Sequence, residues 1–162
     1  INWFPVILGE AGYSAATAGW LLTLYQVAAL LAGMAIPALV RRFSDQRGLA
    51  LGLGLVTMVA VLGILALPGL AVFWMTLLGC GSGPALILAL SFMGLRARTH
   101  ESAATLSLLA LGVGYFIAGL GPVVFGLVRD YTGGWTLALL GTAAVALGMG
   151  LCGLGAGRSV KV

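Results

Sequence analysis

Apolar residues run along this chain in long blocks rather than in alternation. Residues 17–40, 49–67, 70–95, 103–128 and 135–156 each pass without a charged side chain. About 20 apolar residues in helical conformation cross the hydrocarbon core of a bilayer, and each block meets that length. The intervals between blocks are short, which predicts five complete membrane-spanning helices. The first eight residues, "INWFPVIL", are apolar but too few to cross. No basic segment precedes them, so they do not read as a signal peptide. They read as the truncated end of a sixth span (1–8) whose first half lies upstream, which makes the chain a piece of a longer protein.

Composition agrees with that pattern. The sequence is 61% hydrophobic and 7% charged, with a mean hydropathy of +1.14. A soluble domain carries about a quarter charged residues, and so little polar material would not cover the surface of a water-soluble fold. The expected fold class is therefore an all-α membrane protein in a lipid bilayer. Cys80 and Cys152 fall inside spans and read as small buried hydrophobes.

Charge sets the orientation. Successive spans alternate sides, so residues 41–48, "RRFSDQRG", share a face with 96–101, "RARTHE", and with the tail 157–162. Segments 9–16, 68–69 and 129–134 lie on the other face. Seven of the eight basic residues fall on the first face and only Arg129 on the second. The excess of Lys and Arg makes the first face cytoplasmic, and the C-terminus with it. Arg41, Arg42, Asp45 and Arg47 thus form a cytoplasmic loop. The two arginines suit the negative end of the preceding helix, and Ser44 and Asp45 are placed to cap the next. The net charge of +4 follows from the same bias. The basic residues are scattered over three membrane-flanking segments, which speaks against a nucleic-acid partner.

The blocks differ in polarity. Polar groups are costly in lipid and tend to face protein or water. Gln26 is the most polar side chain inside any complete span, and hydroxyls concentrate in the first, third and fourth. Those three, with the truncated helix, are expected to line a cavity, while the second and fifth face lipid. Two glycine-rich runs interrupt spans, "GCGSGP" (79–84) and "GVGYFIAGLGPVVFG" (112–126). Gly83, Pro84, Gly121 and Pro122 are expected hinge or packing positions, because proline removes a backbone donor and glycine admits a neighbouring helix. Gly-Pro interruptions near the midplane point to transport sites; close packing alone is the rival reading. "GMGLCG" (148–153) follows no strand and is no dinucleotide site. "CGSG" (80–83) is no protease motif, since the single histidine, His100, lies in a loop. No cluster has metal-ligand spacing, so neither catalytic residues, cofactor nor metal is expected.

Several segments are familiar together. "GYFIAGLGPVVFGLVRDYTGGW" (114–135) resembles the eleventh helix and following turn of major facilitator superfamily transporters, most of all the cyanate transporter (CynX/NimT-like) family. The shared elements are Gly114-Tyr115, Gly121-Pro122 and the turn Asp130-Tyr131-Thr132-Gly133-Gly134-Trp135. "INWFPVIL" resembles that family's seventh helix, and "GCGSGPALILALSFMGLRART" (79–99) its tenth helix and loop. The resemblance covers the whole chain. Leu111 departs from it, standing where many relatives carry Gln.

The resemblance implies a major facilitator half-bundle, residues 1–162 being the C-terminal six-helix half entered partway through its first helix. It implies secondary transport of a small polar or anionic solute by alternating access, in a bacterial cytoplasmic (inner) membrane, with the missing N-terminal half as partner. The expected solute contacts are Asn2, Trp3, Tyr25, Gln26 and Tyr115. Without the resemblance, the residues leave open a non-transporting membrane scaffold or assembly subunit, or a small self-associating pore.

Overall fold

The computed structural model describes residues 1–43, 45–96 and 100–157. Among them the chain forms six α-helices: α1 (Phe4–Glu10), α2 (Ala15–Arg42), α3 (Arg47–Ala66), α4 (Ala71–Arg96), α5 (His100–Thr132) and α6 (Thr136–Ala156). Helices α2 to α6 are each long and apolar enough to cross a membrane. The protein is an all-α half-bundle of the major facilitator type, five complete membrane helices and a short first one. Ser44, Arg98 and the tail from residue 158 lie outside the described residues.

Local chemistry sets the turns. Pro5 stands in the first turn of α1, where its missing N–H is no loss. The α1–α2 turn needs Gly12 at φ 93°, and the α5–α6 turn needs Gly133 at φ 71°, a region that side chains with a Cβ avoid. The Ser14 hydroxyl accepts the Thr17 N–H at 3.2 Å and caps α2. At the other end of α2, Asp45 Oδ1 accepts the Arg47 N–H at 3.0 Å. The buried residue directly before α3 is Gln46, and its side chain reaches backward. Its amide donates to the carbonyls of Phe43 (2.6 Å) and Val40 (3.4 Å), closing the end of α2. A single 3₁₀ turn, Pro68–Leu70, joins α3 to α4.

Helix α4 is wedged between α2 and α3, and α3 packs in turn on α6. The run at 79–84 makes this possible. Gly79 and Gly83 face Tyr25, Ala28 and Ala29 of α2, while Gly81 faces Thr57 of α3. Here the glycines serve close packing, and α4 continues as one helix through the buried Pro84. On the far side Gly54 meets Gly150, and Gly153 meets Ala50. The main core gathers toward the end of the bundle that carries Glu10, from Phe4, Leu8, Leu21, Val61, Met75 and Leu139 among others.

Two expectations drawn from polarity change. Helix α3, expected to face lipid, has the most buried membrane window of the five, 39%. Its lack of polar side chains reflects glycine-mediated packing, and only positions such as Leu55 and Val59 look outward. The hydroxyls of Thr23, Thr76, Ser82, Ser91 and Thr105 all donate to the carbonyl four residues back in their own helix. A hydroxyl satisfied in this way does not call for an aqueous cavity.

Helix α5 stands apart. None of its described side chains is fully buried, and Ala118, Gly121, Pro122 and Phe125 in its second half line a cavity beside α1.

Candidate solute-binding surface

Helix α1 is fastened to α5 at two levels. The Trp3 indole donates to the Pro122 carbonyl at 2.9 Å, and the Arg129 guanidinium donates to Glu10 Oε1 at 2.8 Å. Residues 3 and 10 are seven apart, as are 122 and 129, and both pairs are separated by 119 residues. The two helices therefore run parallel with matched faces, and Gly126, between the two levels, leaves room for the Trp3 ring.

A third helix closes the arrangement. Trp135, the residue before α6, donates its indole N–H to Glu10 Oε2 at 2.9 Å. Its ring lies 5.4 Å from that of Trp3 and carries the Arg129 guanidinium 5.3 Å above its centroid. Cation–π attraction and the ion pair act together on Arg129. Trp3, Glu10, Arg129 and Trp135 form one polar-aromatic cluster at the Glu10 end.

Below it lies a cavity of about 320 Å³, lined by Asn2, Trp3, Phe4, Pro122, Phe125 and Thr142 among others. Asn2 is exposed at its edge. Pro122 has no N–H, so the Ala118 carbonyl, also in the lining, lacks its helical donor. A second cavity, about 480 Å³, opens between α3, α4 and α6 and is almost wholly apolar.

The remaining expected contacts lie elsewhere. Tyr25 is 5% exposed and faces α4. Ser82 donates to the Leu78 carbonyl, so its oxygen receives the Tyr25 hydroxyl at 3.1 Å. Gln26, one residue on, turns about 100° away around the helix and is exposed, as are Trp20, Leu30 and Met34 on the same helix. Tyr115 is 66% exposed on α5. The structure thus joins Asn2 and Trp3 at one cavity, places Tyr25 in a helix contact, and leaves Gln26 and Tyr115 on open helix surfaces. Gly121 has no atom near where a Cβ would stand. Arg41 and Arg42 end α2, and Arg47 Nε lies 3.5 Å from Asp45 Oδ2. Among the described residues no three His, Cys, Asp or Glu side chains converge as a metal site would require.

Sequence reasoning missed the Glu10–Arg129–Trp135 cluster as a unit. One signal was present: Arg129 is the single basic residue on its face.

Comparison with known proteins now bears on these surfaces. A 2-nitroimidazole transporter of Escherichia coli (strain K12) is 41% identical over 162 residues, covering 100% of this chain and 41% of the relative. The chain belongs to the cyanate transporter (CynX/NimT-like) family. The uncharacterized transporter YycB of Bacillus subtilis (strain 168) is 38% identical over 98% of this chain and 40% of its own length. The cyanate transport protein CynX of Escherichia coli (strain K12) is 30% identical over 85% of this chain and 36% of its own. This family member spans about two fifths of the length of the first two of these relatives. No family model and no solved structure matches it.

Proposed function

We propose that this chain is the C-terminal six-helix half of a secondary active transporter for a small polar or anionic solute, working by alternating access with an N-terminal half. The observation that carries the reading is Gln26. Its amide sits near the middle of α2, exposed, and makes no hydrogen bond among the described residues. An amide with no partner in hydrocarbon costs several kcal/mol, so water, solute or another protein surface must meet it. Tyr115 is exposed on α5, and among the described residues no atom stands within 4 Å of where a Cβ would lie on Gly112, Gly114, Gly119 or Gly121 of that helix, which leaves room for a second protein surface. A second half facing α2 and α5 supplies both a packing surface and a polar cavity between halves.

The relatives support the solute class. Those named for a substrate are named for 2-nitroimidazole, anionic 4-hydroxy-benzoate and cyanate, all small and polar and the first two planar rings. Asn2, Trp3, Gln26 and Tyr115 offer amide hydrogen bonds and flat aromatic faces to such a molecule. Tyr25, paired to Ser82, positions α2 against α4 and reaches solute only if that pair opens. The Arg41 end faces the cytoplasm and the Glu10 end the exterior, in a bacterial inner membrane.

The test is reconstitution of the complete protein and of this half side by side in proteoliposomes. The complete protein is expected to take up solute, and Gln26→Ala to weaken that uptake. Flux through the half alone, comparable to that of the whole, would support a self-associating pore. Absence of flux from both would support a scaffold role.

A further inference from the structure

We infer that Arg129 and Trp135 form an anion-docking fork at the Glu10 end, in which the Glu10 carboxylate is the resident occupant that an incoming monoanion displaces. The inference deepens the transport reading and rests on it. The ligand class is a carboxylate or a planar anion of similar size.

The geometry is that of a site for two oxygens. Arg129 comes from α5 and Trp135 from the start of α6, and their N–H groups converge on separate oxygens of one carboxylate at 2.8 and 2.9 Å. Each donor also has a contact apart from Glu10. Trp135 is buried and held by the Trp3 ring, and Arg129 is stacked over Trp135. With Glu10 withdrawn, two aimed donors and an aromatic wall remain. Asp130 Oδ1 is the other acid nearby, 3.8 Å from the second terminal nitrogen of Arg129.

The occupant is loosely held. The side chains of Arg129 and Glu10 are 42% and 46% exposed. An ion pair this open to solvent is weak, so exchange with an external anion is within reach. Glu10 is the last residue of the two-turn helix α1, and the chain turns at Gly12 two residues on, so the carboxylate stands at a helix end and not within one. Arg129 is also the single basic residue among the segments at this end, so it is the one positive group of this half that an anion meets there. The fork stands over the cavity lined by Trp3, Phe125 and Thr142.

A structural tie and a docking fork predict opposite patterns. If Glu10 and Arg129 only fasten helices, Glu10→Gln and Arg129→Gln break the same tie and act alike on every solute. If they form a fork, Glu10→Gln removes a competitor while Arg129→Gln removes the receptor. We would measure binding of 4-fluorobenzoate to the complete protein in detergent by ligand-observed fluorine NMR, with uncharged 4-fluorobenzamide as the isosteric control. Glu10→Gln is expected to lower Kd for the anion about two- to fivefold, and Arg129→Gln to raise it by at least as much. Trp135→Phe keeps the wall but removes one donor, and should raise Kd by a smaller factor. The benzamide should respond to none of them. Shifts in the same direction for Glu10→Gln and Arg129→Gln, or equal effects on the amide, would overturn the fork. Uptake of 4-fluorobenzoate into proteoliposomes is measured separately. Binding with the expected pattern but no uptake would reject the transport reading and leave the fork standing.

Discussion

Gly54 of α3 and Gly150 of α6 meet backbone to backbone: a methyl group on Gly54 would stand 2.7 Å from the Gly150 Cα and 2.8 Å from the Ala146 carbonyl oxygen. No side-chain rearrangement relieves such an overlap, because the opposing atoms are main chain. Gly54→Leu is therefore expected to force α3 from α6 and to destabilise the complete protein by about 1–3 kcal/mol. Thermal unfolding in detergent measures this. Gly52, two residues away with nothing within 4 Å of where its Cβ would stand, should accept Ala with little change.

Trp3 combines a ring contact with a hydrogen bond, and the two can be separated. Trp3→Phe keeps most of the aromatic surface near Gly126 and Trp135 but removes the donor to the Pro122 carbonyl. The expected loss is about 0.5–1.5 kcal/mol. Gly126→Leu should do more harm, since a side chain there enters the space of the Trp3 ring 3.2 Å away. Disulfide trapping between cysteines on α1 and α5 should slow in the order wild type, Trp3→Phe, Gly126→Leu.

Tyr25 and Ser82 act as a pair. Tyr25→Phe and Ser82→Ala each remove one side of a single hydrogen bond, so the double variant should be little worse than either alone. A coupling energy of about 0.5–1.5 kcal/mol in a double-mutant cycle on stability is expected. Solute affinity should respond to Gln26→Ala more than to Tyr25→Phe, since the Tyr25 hydroxyl is already engaged.

Cysteines at Arg41 and Thr132 should label from opposite sides of the membrane with an impermeant maleimide. The basis is the seven-to-one distribution of basic residues. Labelling of both from one side would reject the proposed orientation.

The helices were legible because a span must be both long and uncharged, and that leaves a plain trace in sequence. Their ends were less so. Helix α5 continues to Thr132, past Arg129 and Asp130, because charge marks the edge of the hydrocarbon layer and not the end of hydrogen bonding. The candidate solute contacts were chosen by residue type, which carries no placement. Tyr25 and Gln26 are neighbours in sequence yet point to different sides of α2, and no single-sequence pattern says which one meets α4. Polarity also misassigned α3, since glycine buries a helix as effectively as a hydroxyl marks one. The Glu10 cluster depends on contacts across 119 and 125 residues, and no local pattern carries that information.

The same separation has a consequence for assembly during synthesis. Arg129 follows Glu10 by 119 residues. At ribosomal speeds of roughly 5–20 residues per second, its partner is roughly 6–24 s away. Helix α1 can settle against α2 in that interval, through Leu8, Ala18 and Leu21. Its carboxylate stays unmatched until four further long helices have followed or begun to follow it. Of the six helices described, α1 is thus the earliest made and among the last to be locked, and release of the chain before α6 would leave the Glu10 end of the bundle unfastened.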